Sequence, residues 1–134
     1  MALEDIRAHL DASDHNWTVE EIEGGLTIVN EDGVLAHLIL TEHQMIIESL
    51  LFPVEAIEDV AKFDDLMMFA QKKLPLTSVG KTIVAKQKFY AAFGALSADS
   101  KFENIELEVV MLYQNITELL DFSADFLRVT TETN

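Results

Sequence analysis

The sequence contains no cysteine among its 134 residues. This absence excludes disulfide bonds, a thiolate nucleophile and the cysteine-rich zinc sites of small domains. The amino terminus also lacks the positive charge of a secretory signal peptide, because Glu4 and Asp5 stand there and no apolar stretch follows them. We therefore expect the protein to act in the cytoplasm.

Basic residues are scarce. The chain has 9 lysines and arginines against 24 aspartates and glutamates, which gives a formal net charge of -15. An acidic surface repels phosphate groups and so disfavours binding to nucleic acids and to anionic membrane leaflets. The charge predicts no nucleic-acid ligand and no membrane insertion, and it favours basic protein partners.

Residues that interrupt helices and strands are also few, with 2 prolines and 5 glycines, whereas 49% of the residues are hydrophobic. A chain of this size and composition can bury one core. We expect a single α+β domain over residues 1–128 and a disordered tail over 129–134. The order of the patterns predicts an antiparallel sheet of consecutive hairpins, with an amino-terminal, a middle and a long carboxy-terminal helix.

The most apolar passage, residues 34–54, has the length of a membrane-spanning helix. Glu42, His43 and Glu48 lie inside it, where lipid would make their burial costly. The passage instead predicts two strands joined by a tight turn at Glu42 and His43.

That turn determines the register, because side chains alternate between the two faces of a sheet. One face is then the predicted core, with the pairs Val34 with Leu51, Ala36 with Ser49, Leu38 with Ile47 and Leu40 with Met45. A loop ending at Gly33 in the left-handed conformation places Leu26 and Ile28 on the same face. Two independent turns thus predict one core face.

The opposite face of this hairpin is a candidate binding surface. Four apolar residues surround a possible polar pair of His37 and Glu48, with Thr27 beside His37: Leu35, Ile39, Ile46 and Leu50. If no helix covers this face, we expect a protein partner there. The alternative is a small ligand-binding protein or enzyme with a pocket near His37 and Glu48, since a carboxylate can support histidine acid-base chemistry. The simplest interpretation is a cross-strand polar pair without catalytic function.

The remaining elements follow from periodicity. Three apolar residues at helical spacing predict the first helix: Leu3, Ile6 and Leu10. Residues 55–74 predict the middle helix. Residues 76–97 predict either one long bent strand or two short strands hinged near Gly80, with Gly94 as a possible bulge.

The last helix is predicted to begin at Ser100, because Ser100 and Glu103 match the S-x-x-E pattern of a capping box. Its apolar residues follow a heptad seam: Phe102, Ile105, Val109, Leu112, Ile116, Leu119, Ser123 and Phe126. Leu107, Met111 and Leu120 lie off this seam. The seam either covers the sheet of its own domain or mediates a homodimer or partner contact, for which the three off-seam residues are candidates.

No pattern supports a catalytic, cofactor or metal site. Gly80, Lys81 and Thr82 resemble the end of a P-loop, but Pro75 replaces its first glycine and a strand-like sequence follows. The histidines other than His37 are scattered through a helix, a loop and a turn: His9, His15 and His43.

Charge is unevenly distributed along the chain. An acidic group in the last helix is predicted to be a solvated surface: Glu103, Glu106 and Glu108. Five of the nine basic residues lie within 17 positions that contain no acid: Lys72, Lys73, Lys81, Lys86 and Lys88. This basic segment either packs beside the protein's own acidic helices or binds an acidic partner.

Two motifs resemble a known family. At "LPLTSVG", residues 74–80, and "FGALSADSKFENIELEVVML", residues 93–112, the chain resembles the YjfI-like family of small bacterial proteins of unknown function. That family is often encoded beside a coiled-coil relative of phage-shock protein A, so the resemblance implies a membrane-stress context and a partner of that type. The order of elements also resembles type III secretion chaperones, which implies a homodimer that holds partner segments.

The function predicted from these observations is a non-enzymatic protein-binding module, chaperone-like or regulatory. The ligand-binding or enzymatic alternative remains open.

Overall fold

The computed structural model describes residues 2–129, and its elements follow the predicted order. The predicted tail lies outside the described residues except for Val129. The predicted α+β fold class is confirmed. The helices and strands are α1 (Leu3–Asp11), β1 (Trp17–Ile22), β2 (Gly25–Asn30), β3 (Leu35–Leu40), β4 (Gln44–Pro53), α2 (Val60–Ala70), β5 (Ser78–Val84), β6 (Gln87–Ser97) and α3 (Phe102–Ser123).

The six strands form one antiparallel sheet in the order β1-β2-β3-β4-β6-β5. The helices pack on one side of it. Their buried residues share a single hydrophobic core with the inward residues of the strands, among them Leu26, Leu38 and Ile47. Within residues 2–129, no helix is long and apolar enough to span a membrane.

The register predicted for the central hairpins is confirmed. Leu38 pairs with Ile47 and Leu40 with Met45, and the turn closes with a 2.8 Å hydrogen bond from the Thr41 amide to the Gln44 carbonyl. Leu26 pairs with Leu38 on the next strand, as predicted. Gly33 has a φ of 80°, the left-handed conformation that its loop requires. The apolar passage at residues 34–54 is therefore the centre of the sheet.

The prediction for residues 76–97 was wrong in its details. The chain reverses at Ala85 and Lys86, whose φ angles of 50° and 68° form a two-residue hairpin turn between β5 and β6. Gly80 lies within β5, and Gly94 pairs in regular register with Ile47. The irregularity of the sheet lies on β4, between Leu50 and Phe52.

The middle helix begins later than predicted. Asp59 caps it by accepting a hydrogen bond from the Lys62 amide at 3.2 Å, so the α-helix starts at Val60. Ile57, which was predicted to be helical, is fully buried and bridges to Leu127 near the end of the described chain. Tertiary contact thus overrides local helix propensity before Asp59.

The predicted capping box was also wrong. Ser100 donates its hydroxyl to the Ser97 carbonyl at 2.7 Å, and α3 begins after Lys101 without a side-chain cap. The heptad seam itself faces the sheet, since its central residues are buried: Ile105, Val109, Leu112, Ile116, Leu119 and Ser123. The intramolecular interpretation of the seam is therefore confirmed.

Candidate functional site

Within residues 2–129, nothing covers the side of the sheet away from the helices, and this side is largely apolar. Leu35 is 49% exposed, Ile39 38% and Leu50 40%, while Ile46 is half-buried. This surface extends onto β6, because Glu48 pairs with Phe93 and Ile46 with Ala95, and paired residues point to the same face of the sheet. We call this surface the open face: the outward side chains of β1, β2, β3, β4 and β6.

The predicted polar row lies in the middle of the open face. Thr27 pairs with His37, and His37 pairs with Glu48. Thr27 Oγ1 and His37 Nδ1 are 3.0 Å apart and form a hydrogen bond. No hydrogen bond or ion pair joins His37 to Glu48, so the two residues are neighbours without being a bonded pair.

Charge on the open face is of one sign. The observed register and the alternation of side chains along each strand identify the outward positions. The permanent charges at these positions are Glu20 on the edge strand β1 and Glu48 on β4. No lysine or arginine occupies an outward position of the six strands. The surface is therefore apolar and weakly acidic.

The off-seam residues of α3 do not form one patch. Leu107 is 48% exposed and Leu120 43%, while Met111 is half-buried. Leu120 lies nine positions after Met111 and projects about half a turn away from it, whereas Leu107 lies four positions before Met111 and projects from the same side of the helix. The helix thus presents these residues on two sides, with Leu107 beside Met111 and Leu120 apart from them, whereas the sheet presents a continuous group.

The basic segment is partly used within the molecule. Lys81 on β5 binds Asp64 on α2 at 2.5 Å, and the Tyr90 hydroxyl donates to the same carboxylate at 2.5 Å. Burial, followed by the hydrogen bond to Asp64, raises the pKa of Tyr90 above its ordinary value of 10.0. Among the described residues, Lys81 is the only one of the five lysines of the basic segment that forms an ion pair.

Two of the histidines that are scattered in the sequence lie beside the same carboxylate in the fold. His9 Nε2 lies 3.3 Å from one oxygen of Glu106, and His15 Nε2 lies 3.4 Å from the other. Each oxygen of the Glu106 carboxylate thus faces one imidazole ring. Within residues 2–129, no group of three or more histidine, aspartate or glutamate side chains could hold a metal ion. His43 stays apart, in the β3–β4 turn.

The sequence interpretation missed Glu108. Only 7% of Glu108 is exposed, although it was predicted to be part of a solvated acidic surface. Burial raises its pKa above the ordinary value of 4.5. Its spacing to Leu112 and Asn115, i+4 and i+7, is the signal that places it on a buried side of the helix.

The fold is shared with solved structures at low sequence identity. YbjN of Escherichia coli, for which a role as a transcription regulator has been suggested, has a TM-score of 0.71 and 16% identity, covering 97% of this chain and 97% of its own. A chain of the HopA1–SchA chaperone–effector complex has a TM-score of 0.60 and 14% identity, covering 87% and 88%. The predicted likeness to type III chaperones is confirmed at the level of fold.

Sequence relatives confirm the predicted family. The uncharacterized protein YjfI of Escherichia coli strain K12 is 35% identical over 115 residues, which cover 84% of this chain and 86% of the relative. The protein of the same name from strain O157:H7 matches equally. Residues 2–127 match the family model DUF2170, described as an uncharacterized protein conserved in bacteria, and the chain belongs to this family.

Proposed function

We propose that this protein is a non-enzymatic protein-binding module, chaperone-like or regulatory, that docks a partner segment on the open face. The observation that carries the proposal is the group of exposed apolar side chains Leu35, Ile39 and Leu50 on a sheet face that no described element covers. Contiguous apolar surface of this kind marks interaction sites more often than scattered residues do. The fold likeness to a chain of a chaperone–effector complex supports the same proposal.

Charge indicates what the partner segment is like. The open face carries Glu20 and Glu48 and no permanent positive charge, on a protein of net charge -15. A segment with apolar residues for the sheet and lysines or arginines at its margins is complementary to such a surface. Two copies of the open face are not complementary in this way, because both carry carboxylates and neither carries a permanent positive charge.

The cellular setting of the proposal follows the family resemblance. We place the protein in the cytoplasm, within a membrane-stress system, with a coiled-coil protein of the phage-shock type as the candidate partner. We also propose a homodimer that leaves the open face free, with Leu107 on the exposed side of α3 as a candidate contact. Sedimentation of the wild-type protein and Leu107→Lys tests the dimer separately from partner binding.

The competing hypothesis of an enzyme or ligand-binding protein has less support in the geometry. His37 is hydrogen-bonded to Thr27 on the surface of the sheet. The molecule has one cavity lined in part by Tyr90 and another lined in part by Glu108, and neither His37 nor Glu48 lines either of them. A thermal-shift screen against metabolites that finds a ligand, with the shift lost in His37→Ala, would favour this hypothesis instead.

The decisive experiment locates the partner by photocrosslinking and then measures the effect of charge on the open face. A photoreactive residue at Ile39 should crosslink a basic protein in the native host. In calorimetry with that purified partner, Leu35→Lys/Leu50→Lys should weaken binding at least about tenfold, which corresponds to about 1.4 kcal/mol.

Leu107→Lys is the matched control, since Leu107 has a similar exposed fraction but lies on α3. It should leave partner affinity unchanged. If Leu107→Lys weakens binding and the double variant on the open face does not, the helix is the binding surface and the proposal is wrong. A crosslink to a second copy of this chain would equally contradict it.

A further inference from the structure

Two aromatic residues, Trp17 and Tyr113, line one cavity where β1 begins, between the α1–β1 loop, the β2–β3 turn and α3. Both residues are half-buried, and the cavity measures about 190 Å³. A second cavity of about 250 Å³ shares four of its lining residues: Asn16, Trp17, Asn30 and Glu31. We call the two cavities together the Trp17 cleft.

Hydrogen bonds to the backbone fix both aromatic residues by their polar ends. The Trp17 indole N–H donates to the Leu10 carbonyl at 2.9 Å. The Tyr113 hydroxyl donates toward the Ile28 and Val34 carbonyl oxygens, which lie 2.9 and 3.1 Å away. Because the backbone already satisfies these polar groups, the two residues offer a ligand aromatic surface that is held in place before binding.

A carboxylate at the cleft is positioned as well. Glu31 lies in the β2–β3 turn, where Asn30 Oδ1 accepts hydrogen bonds from the amides of Asp32 at 3.1 Å and Val34 at 2.9 Å. Asn16 Nδ2, in the α1–β1 loop, donates to Glu31 Oε2 at 3.3 Å. The turn and the loop together therefore place an exposed carboxylate beside the two rings.

The charge of the cleft is negative. Glu31 lines both cavities, and no lysine or arginine among the described residues lines either of them. His15 packs against Trp17 with 4.6 Å between the ring centroids; it is positive only when protonated, and Glu106 then offsets its charge at 3.4 Å. Aromatic rings beside a carboxylate, on a protein of net charge -15, suit a cation and above all a guanidinium group.

The cleft has the size of one side chain and lies next to the open face. Each of its cavities is smaller than the range of about 300 to 1,000 Å³ found for sites of drug-sized ligands. Thr18 and Val29 line the second cavity and point outward from β1 and β2. Val29 pairs with the exposed Leu35 of the open face. A segment on the open face can therefore reach the cleft with one long side chain.

We propose that the Trp17 cleft binds an arginine side chain of the partner segment that lies on the open face. The guanidinium group pairs with Glu31 and stacks against the aromatic wall, a combination that the compact ammonium group of lysine cannot match. The inference rests on the proposed function, in which the partner carries basic residues at the margins of its apolar segment. It assigns one of those basic residues its site.

The single tryptophan of the chain makes the test specific, because its indole N–H signal in NMR spectra reports on this cleft alone. Three probes are titrated into the whole protein up to millimolar concentrations: acetyl-Gly-Arg-Gly-amide and its analogues with citrulline or lysine in the middle. Citrulline keeps the shape of arginine without its charge. We expect the arginine peptide to shift the indole signal, the citrulline peptide to bind at least about fivefold more weakly, and the lysine peptide to lie between them.

Two variants of the β2–β3 turn provide a matched comparison. Glu31→Gln keeps the shape of the side chain and should weaken binding of the arginine peptide at least about fivefold, with no change for the citrulline peptide. Asp32→Asn removes the neighbouring exposed carboxylate, which lines neither cavity, and should leave the affinity for arginine unchanged. Spectra of both variants report whether the fold is intact.

Three results would overturn the inference: no shift of the indole signal with the arginine peptide, equal affinity for the citrulline peptide, or an equal effect of Glu31→Gln and Asp32→Asn. The proposed function is judged separately with its partner. If Leu35→Lys/Leu50→Lys weakens partner binding but the arginine peptide does not bind at Trp17, the proposed function stands and this inference fails. If the arginine peptide binds there but the double variant keeps its partner affinity, the arginine site stands and the proposed function fails.

Discussion

The two faces of the sheet are built by the same strands and differ in what covers them. On β3, Leu38 points toward the helices and is fully buried, whereas its neighbour Ile39 is 38% exposed on the open face. Apolar burial is the main favourable term in folding, so only the covered face contributes much of it. The comparison teaches that the hydrophobic residues of this sheet are not equivalent: those on the covered face stabilise the fold, and those on the open face form the surface on which we propose that a partner binds.

The largest expected change in stability comes from a core residue, and its neighbour on the same strand provides the comparison between the two faces. Leu38→Ala should lower the free energy of unfolding by about 2 to 5 kcal/mol, because it leaves a cavity in the core. Ile39→Ala should cost about 1 kcal/mol or less, since that side chain is already partly in water. Urea denaturation of both variants measures the difference, and equal losses would show that the open face is covered in solution.

A smaller loss of stability is expected at Gly94, which packs against Glu108 on the covered face. Gly94→Ala should cost about 1 to 3 kcal/mol, because the added methyl group overlaps the Glu108 carboxylate. Glu108→Ala in the same chain should recover most of that loss by removing the overlapping atoms. Thermal unfolding of the two single variants and the double variant forms the required cycle. Additive losses would mean that Gly94 matters for another reason.

A pH-dependent effect should follow from the same carboxylate. The pKa of Glu108 is raised in the folded protein, so the folded state holds this proton to higher pH than the unfolded chain does. The free energy of unfolding should therefore fall as pH rises from the ordinary value of 4.5 through the raised pKa. Glu108→Gln should lack this fall, and Glu103→Gln should retain it. Parallel pH profiles for wild type and Glu108→Gln in chemical denaturation would contradict the prediction.

The smallest effect is expected on the open face itself. Thr27→Val removes the hydrogen bond to His37 while keeping the shape of the side chain. Because the pair is half-exposed and water can replace the lost partner, the free energy of unfolding should change by less than about 1 kcal/mol. Urea denaturation checks this value. A larger loss would indicate that the polar row stabilises the sheet.

The sequence predicted the central hairpins well, for a physical reason. Gly33 and the Glu42–His43 turn set the register locally, and the alternation of residues 34–51 then assigned every side chain to a face. The β5–β6 turn was missed because Ala85 and Lys86 are not residues that usually adopt positive φ. The start of the middle helix was misplaced because Ile57 is recruited by a contact with the distant Leu127.

The candidate site was predictable only in part. Strand alternation named Leu35, Ile39, Ile46 and Leu50 as one surface, but whether a helix covers them depends on the placement of α2 and α3. Spacing along α3 also grouped Leu107, Met111 and Leu120 as candidates, although Leu120 projects from a different side of the helix than Leu107 and Met111.

The sequence by itself determined the fold class, the register of the central strands and the positions of the apolar seam of α3, because each depends on periodicity within one or two neighbouring elements. Only the tertiary structure decided that this seam faces the sheet of its own domain. Tertiary structure alone decided that no helix among the described residues covers the second face of the sheet. It also decided that His9 and His15 meet Glu106, and that Glu108 is buried against Gly94. These features join residues far apart in the chain, and their environment exists only once the helices have packed on the sheet.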